Sequence, residues 1–299
     1  MGGQAMRYVL ENDTLRVEIA SLGAELKSVK NKSTNQEYMW QADPQYWNRT
    51  SPILFPFVGK LKNSSYLYEG CTYTMNPHGF ARDMEYQLLS KTDTTLWLKI
   101  TDNEKTFENY PFSFELSIGY ELTDNELKVL WEVNNNSKDT ALHFSIGAHP
   151  AFNCPIHGED TKAGYKLYFA GVDEIHHYGN DPVSGLSIDE DLVLPLDNHR
   201  TIMTQDFFDR CTYIIENNQT GEVCIEDIDG NRYITVLFDM PLFALWSPEG
   251  RNAPFLCIEP WCGRCDSFDF NGTLSERAYN NCLEAGNTFH TSYTIRFGA

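Results

Sequence analysis

The sequence predicts an all-β protein, a large antiparallel sandwich or barrel, and three observations carry that prediction. Apolar and polar residues alternate along many short runs, turn residues punctuate those runs, and no window of a dozen residues carries a helical stripe. Leu15, Val17 and Ile19 put apolar side chains on one face of the first clear strand. Phe112, Phe114, Leu116, Ile118, Tyr120 and Leu122 do so along a longer one, and Leu127, Val129, Trp131 and Val133 along the next. Asn134-Asn135-Asn136-Ser137 then reads as a turn. Further on, Asp229-Gly230-Asn231 separates Val223-Cys224-Ile225 from Ile234-Thr235-Val236-Leu237-Phe238 as a hairpin turn would, and a meander is expected. Helix is confined to short pieces at 43–47 and 207–210. No linker, low-complexity tract or repeat interrupts the chain, so residues 1–299 read as a single domain.

Composition narrows the partners. With 41% hydrophobic and 13% aromatic residues, the chain has the apolar surface for a packed interior. Its 23 Lys and Arg stand against 42 Asp and Glu, a formal charge of -19 that repels nucleic acid and anionic membranes. The expected ligand is small, and a local arginine cluster could still hold an anion within a Debye length of ~8 to 10 Å. The opening MGGQAMRYVL has no apolar signal core and no stretch approaches a membrane span, so a cytoplasmic protein, monomer or homodimer, is expected. The 8 cysteines then read as reduced, mostly buried thiols.

Four segments carry candidate chemistry. In Ser145-Ile146-Gly147-Ala148-His149-Pro150 a strand runs into a punctuated turn, placing the His149 imidazole at a strand end; alone, it reads equally as a structural histidine. Glu259, in Phe255-Leu256-Cys257-Ile258-Glu259-Pro260-Trp261, closes an apolar run, where burial would raise its pKa and make it a better base near neutrality. Asn76-Pro77-His78-Gly79-Phe80-Ala81-Arg82 reads as a binding loop with a second histidine and an arginine. The run from Trp47 to Lys60 carries Arg49 and Lys60 at either end of a proline-punctuated apolar stretch.

In order along nearly the whole chain, these segments resemble the aldose 1-epimerase, or galactose mutarotase-like, superfamily and its LacX-like subgroup. Trp47, Arg49, the stretch 52–62, His78-Gly79-Phe80-Ala81-Arg82, Gly147-Ala148-His149-Pro150, Trp246-Ser247-Pro248, Glu259-Pro260-Trp261 and Glu284-Ala285-Gly286-Asn287 carry the resemblance. It implies a β-supersandwich with a concave sugar site, His149 as the general acid at the ring oxygen, Glu259 as the general base at the C1 hydroxyl, and His78 as a further donor. It also implies a sugar contact from Asp209 and an aromatic wall from Trp246, although Trp246 reads equally as core. Galactose mutarotases of that superfamily carry an arginine-containing stretch where this chain has Gly59-Lys60-Leu61-Lys62. The His-Gly-Phe-Ala-Arg cluster instead looks like hexose-6-phosphate mutarotases, in which Arg82, with Arg49 beside it, would clamp a phosphate.

Anomer exchange needs one proton delivered and one removed, and no metal or redox carrier. Cys257, Cys262 and Cys265 lack a fourth ligand at standard spacing, so no metal site is expected. The alternatives are a hexose-6-phosphate mutarotase, a non-catalytic sugar-binding protein of the same fold, and a carbohydrate lyase or hydrolase. The last would want a carboxylate pair, and only one well-placed carboxylate is present.

Overall fold

The structure is a computed structural model that describes residues 6–181 and 183–298; residues 1–5, the start of the stretch read above for a signal, lie outside the described residues. Two large antiparallel sheets dominate. The nine-stranded sheet starts as a meander from Gln87–Lys91 through Thr95–Thr101 and Phe114–Thr123 to Glu126–Asn135. Its next strand is Thr288–Phe297, after which come Arg232–Phe238, Glu222–Glu226, Lys166–Phe169 and Arg200–Ile202. The expected meander therefore holds for the first four strands, while in the other half only Glu222–Glu226 and Arg232–Phe238 are successive, Lys166–Phe169 and Arg200–Ile202 joining out of chain order; a strand from the far end of the chain links the two halves. The hairpin expected at 229–231 is present, pairing Val223 with Val236 and Ile225 with Ile234.

In the eight-stranded sheet the path runs Ser187–Pro195, Glu174–Asn180, Tyr213–Glu216, Leu242–Trp246, Phe255–Cys262, Ile146–Ala148 and Ile53–Leu54. Ala151–Asn153 also pairs with Phe255–Cys262. That strand is buried at all eight positions because both of its faces are covered. Leu256 and Ile258 point into the main core, which they share with Phe243 and Leu245 and with Leu116, Ile118 and Trp131 of the larger sheet. The opposite face carries Cys257, Glu259 and Trp261.

Two local expectations fail. Residues 43–47 and 207–210 form turns, and the α-helix among the described residues lies instead at Glu104–Asn109. Asn103 caps it in a box with Thr106, and six residues are too few to show an apolar stripe. Glu259 is also not at a strand end. The strand continues through Pro260, whose missing N–H falls where pairing on one side is already interrupted, between Gly147↔Trp261 and Ala151↔Cys257.

Candidate active site

That interruption builds the site. Ile146 and Gly147 pair with Cys262 and Trp261, and Ala151 and Phe152 pair with Cys257 and Leu256, in one unbroken register. His149 therefore stands across from Glu259 and on the same face, although no ladder bond joins them there. On the other side, Ala244 lies opposite Glu259 and Ile214 opposite Ala244. A row of side chains thus crosses the sheet as Ile214, Ala244, Glu259 and His149. The methyl group of Ala244 leaves space beside the carboxylate, and two aliphatic neighbours give it nothing to bond.

A cavity of about 320 Å³ opens over this row, at the small end of the ~300–1,000 Å³ usual for small-molecule sites. His149 and Glu259 form its floor, with Trp47, Trp246 and Trp261 as aromatic walls. The Trp47 ring stacks on the His149 imidazole at 4.7 Å and 29°, and Trp246 meets it edge-on at 5.2 Å. Trp47 is held in turn by its carbonyl, which accepts the Trp40 indole N–H at 2.9 Å. Behind it, the Glu25 carboxylate accepts the N–H groups of Thr50 and Ser51 at 2.7 and 3.0 Å and so fixes the chain just past Arg49.

His78 enters from a loop that passes tightly over Phe55. Its backbone and that of Gly79 are left-handed, at φ 66° and 71°, and a Cβ on Gly79 would lie 2.2 Å from the Phe55 carbonyl oxygen, so only glycine fits. The Gly59 N–H donates to His78 Nδ1 at 3.1 Å, while the His78 N–H donates to the Gly59 carbonyl at 2.8 Å. With Nδ1 accepting, the ring proton resides on Nε2, making His78 a neutral donor. Burial, reinforced by the charges of Arg82, Arg49 and Lys60, pushes its pKa down to about 3.

Burial also decides the floor pair. His149 is 7% exposed and Glu259 1%, and their Nδ1 and Oε1 atoms lie 3.4 Å apart. Burial drives the His149 pKa well below its usual value, with His78 and Arg82 adding to the shift, and drives that of Glu259 well above. Both shifts favour the uncharged forms, neutral imidazole and protonated carboxyl. His149 Nδ1 and Glu259 Oε2 are both buried without hydrogen-bond partners, an arrangement that native folds rarely leave standing without a purpose.

The residues matched by the family model described as aldose 1-epimerase run from 6 to 295. The chain belongs to the aldose 1-epimerase family. The chromosomal LacX protein of Lactococcus lactis subsp. lactis is 30% identical over 297 residues, 97% of this chain and 99% of that one. A galactose mutarotase related enzyme from Lactobacillus acidophilus superposes with a TM-score of 0.92 at 31% identity, covering 98% of each chain. A galactose mutarotase-like protein from Lactobacillus casei does so at 0.89 and 29% identity, covering 97% of this chain and 99% of that one.

Of the residues that the sequence singled out in this aldose 1-epimerase family member, His149, Glu259, His78, Arg82, Lys60 and Trp246 meet around one cavity. Arg49 stands one layer back: its Nη2 donates to Asp83 Oδ1 at 2.7 Å, and Asp83 also lies 3.8 Å from Arg82 Nε. Asp209 does not line the cavity. It is exposed, and its Oδ1 accepts the Gly250 N–H at 3.0 Å, bracing the turn that follows Trp246. Sequence reasoning missed Asn180 and Thr212, which line the opposite rim and are tied by the Thr212 N–H to Asn180 Oδ1 bond at 2.8 Å. Neither sits in a run with any motif signal. The three clustered cysteines do not form a mutually close donor group among the described residues; Cys257 alone of them comes near His149 and Glu259. A second cavity of about 430 Å³ lies behind the His78 loop, lined by Asn63, Thr74, Asn76, Phe80 and Asn103, and holds no histidine or buried acid.

Proposed function

We propose that this chain is an aldose 1-epimerase that interconverts the α and β anomers of a hexose. The observation that supports this is the floor pair, two buried titratable groups 3.4 Å apart, each with an unsatisfied atom, beneath a cavity walled by tryptophans. Neutral imidazole plus carboxylic acid carries the same number of protons as imidazolium plus carboxylate. The pair therefore always holds one proton to give and one site to take one. In the proposed reaction the shared proton first passes from Glu259 to His149; the imidazolium then protonates the ring oxygen while the carboxylate accepts the C1 hydroxyl proton, so the bond from C1 to the ring oxygen breaks and an open-chain aldehyde forms. Rotation about C1–C2 and reclosure deliver the other anomer and return the proton, with His78 donating to the ring through Nε2–H. Three tryptophans and the aliphatic side chains of Ile214 and Ala244 beside the floor pair keep the local dielectric low, which strengthens these contacts.

A second reading, a hexose 6-phosphate as substrate, is favoured by the cations at the rim. Arg82 and Lys60 line the cavity with Arg49 behind them; Arg82 Nε is buried with no hydrogen-bond partner, and Lys60 makes no ion pair among the described residues. Asp83 offsets part of this charge, and Glu25 and Asp181 act on Arg82 and Lys60 in turn, but the three cations are gathered at one edge of the cavity. Polarimetry on freshly dissolved α-glucose, α-galactose and their 6-phosphates tests both readings. Faster approach to anomeric equilibrium is expected for at least one of the four, and no acceleration of any would leave a sugar-binding protein without turnover. A preference for the phosphates that Arg82→Ala abolishes would fix the second reading; equal rates on all four would refute it.

A further inference from the structure

A third donor stands beside the floor pair. Side chains alternate along Phe255–Cys262, so Cys257 emerges from the same face as Glu259 two residues later. Its sulfur, a nitrogen of the His149 ring and an oxygen of the Glu259 carboxylate all lie within 4.8 Å of one another, and all three residues are buried. The 3.4 Å between His149 Nδ1 and Glu259 Oε1 is already the spacing of two ligands on one tetrahedral zinc ion, about 3.4 Å for bonds of ~2.1 Å. Both His149 Nδ1 and Glu259 Oε2 are free of hydrogen bonds, so neither has to abandon a partner to bind an ion.

The donor set selects the ion. One imidazole, one thiol and one carboxylate suit zinc and its softer relatives, whereas magnesium and calcium want oxygen alone. His149 and Glu259 line the cavity and Cys257 lies outside its lining, so an ion held by all three would face the cavity past the first two and keep one position for water, as open zinc sites do. Charge closes as well: zinc displaces the thiol and carboxyl protons to solvent, and Zn²⁺ with a thiolate, a carboxylate and a neutral imidazole sums to zero. A neutral cluster is what a buried floor can hold.

We propose that His149, Cys257 and Glu259 bind one zinc ion that enters through the sugar cavity, so that zinc and sugar exclude one another. The ion is an inhibitor and not a cofactor, because it occupies the two groups that move protons. This inhibition rests on the mutarotase reading; the binding does not.

The test uses the full chain carrying Cys71→Ser and Cys282→Ser, which removes the two exposed thiols, stripped with a chelator and titrated with zinc against a chromophoric competitor. One zinc per chain is expected, with cobalt in its place giving a thiolate-to-metal absorption band. Adding Cys257→Ser should remove that band and weaken zinc binding about 10-fold or more, while mutarotation without zinc stays as in the parent and becomes insensitive to zinc. Cys257→Ala provides the same comparison should the serine variant fold poorly. No stoichiometric zinc in the parent, or equal affinity in parent and Cys257 variants, would overturn the proposal. If no sugar is turned over by any variant, the binding titration and the cobalt band still decide it, and only the mutarotase reading falls.

Discussion

Glu226 and Glu259 are equally buried, each 1% exposed, yet the two sheets treat them in opposite ways. In the nine-stranded sheet, Glu226 accepts from Arg200 Nε at 2.8 Å and Nη2 at 3.1 Å, and from Arg232 Nε at 3.0 Å. Asp266, nearly as buried, takes Arg277 Nε at 2.7 Å and the Lys62 N–H at 2.8 Å. Across the other sheet, Glu259 has aliphatic neighbours on one side, a neutral histidine on the other and an oxygen with no partner. The same fold that ties down its structural carboxylates leaves this one unsatisfied. Stability gains nothing from that arrangement, and a buried group poised in this way is a mark of function.

The contrast can be broken at either acid. Glu259→Gln keeps the shape and removes the titrating proton; mutarotation by polarimetry should fall ~10²- to 10⁴-fold with an unchanged circular dichroism spectrum. Full activity in that variant would put Glu259 back among the structural acids. Next comes the pH dependence of stability. Unfolded Glu259 ionises above about 4.5, whereas burial raises the pKa of the folded carboxyl, which holds its proton to higher pH. Its contribution is therefore fully present below pH 4.5 and is lost as pH rises toward the folded value, by up to ~1.4 kcal/mol per pH unit. Urea denaturation of wild type and Glu259→Gln from pH 4.5 to 8 should show the variant gaining steadily on the wild type; parallel curves would mean a carboxylate that is ionised in place. The smallest effect belongs to Glu226→Ala. The side chains of Arg200 and Arg232 are 35% and 39% exposed, so water replaces part of what they lose, and a loss of ~1–2 kcal/mol is expected with mutarotation unaltered.

Strand identity was legible because alternation is a local signal: the runs at Leu127 to Val133 and around the 229–231 turn fold as read. The candidate pair was legible only as two suspicious residues. What makes them a pair is a shared register between segments about 110 positions apart, and no local pattern encodes it. For the same reason Trp47 gave no hint that its ring would cover His149, and Asn180 and Thr212 gave none that they would face it across a rim. Asp209 was placed through resemblance alone, and its carboxylate had a nearer task on the Gly250 N–H. The short helix was missed although its Asn103 and Thr106 spell a capping box, because a single turn and a half offers no periodicity to detect.

The strand that carries Glu259 is buried along its length and paired on both sides, and such strands open only when the whole molecule does. Amide protons at 255–259, each on a buried residue paired with at least one neighbouring strand, should exchange with deuterium at the rate of global unfolding, while those of the half-buried loop at 76–80 exchange far sooner. Under the proposed reaction, chemistry and traffic would fall to parts with different clocks: the floor would keep the two side chains in place for the lifetime of the fold, and the rim would time the entry and departure of a sugar.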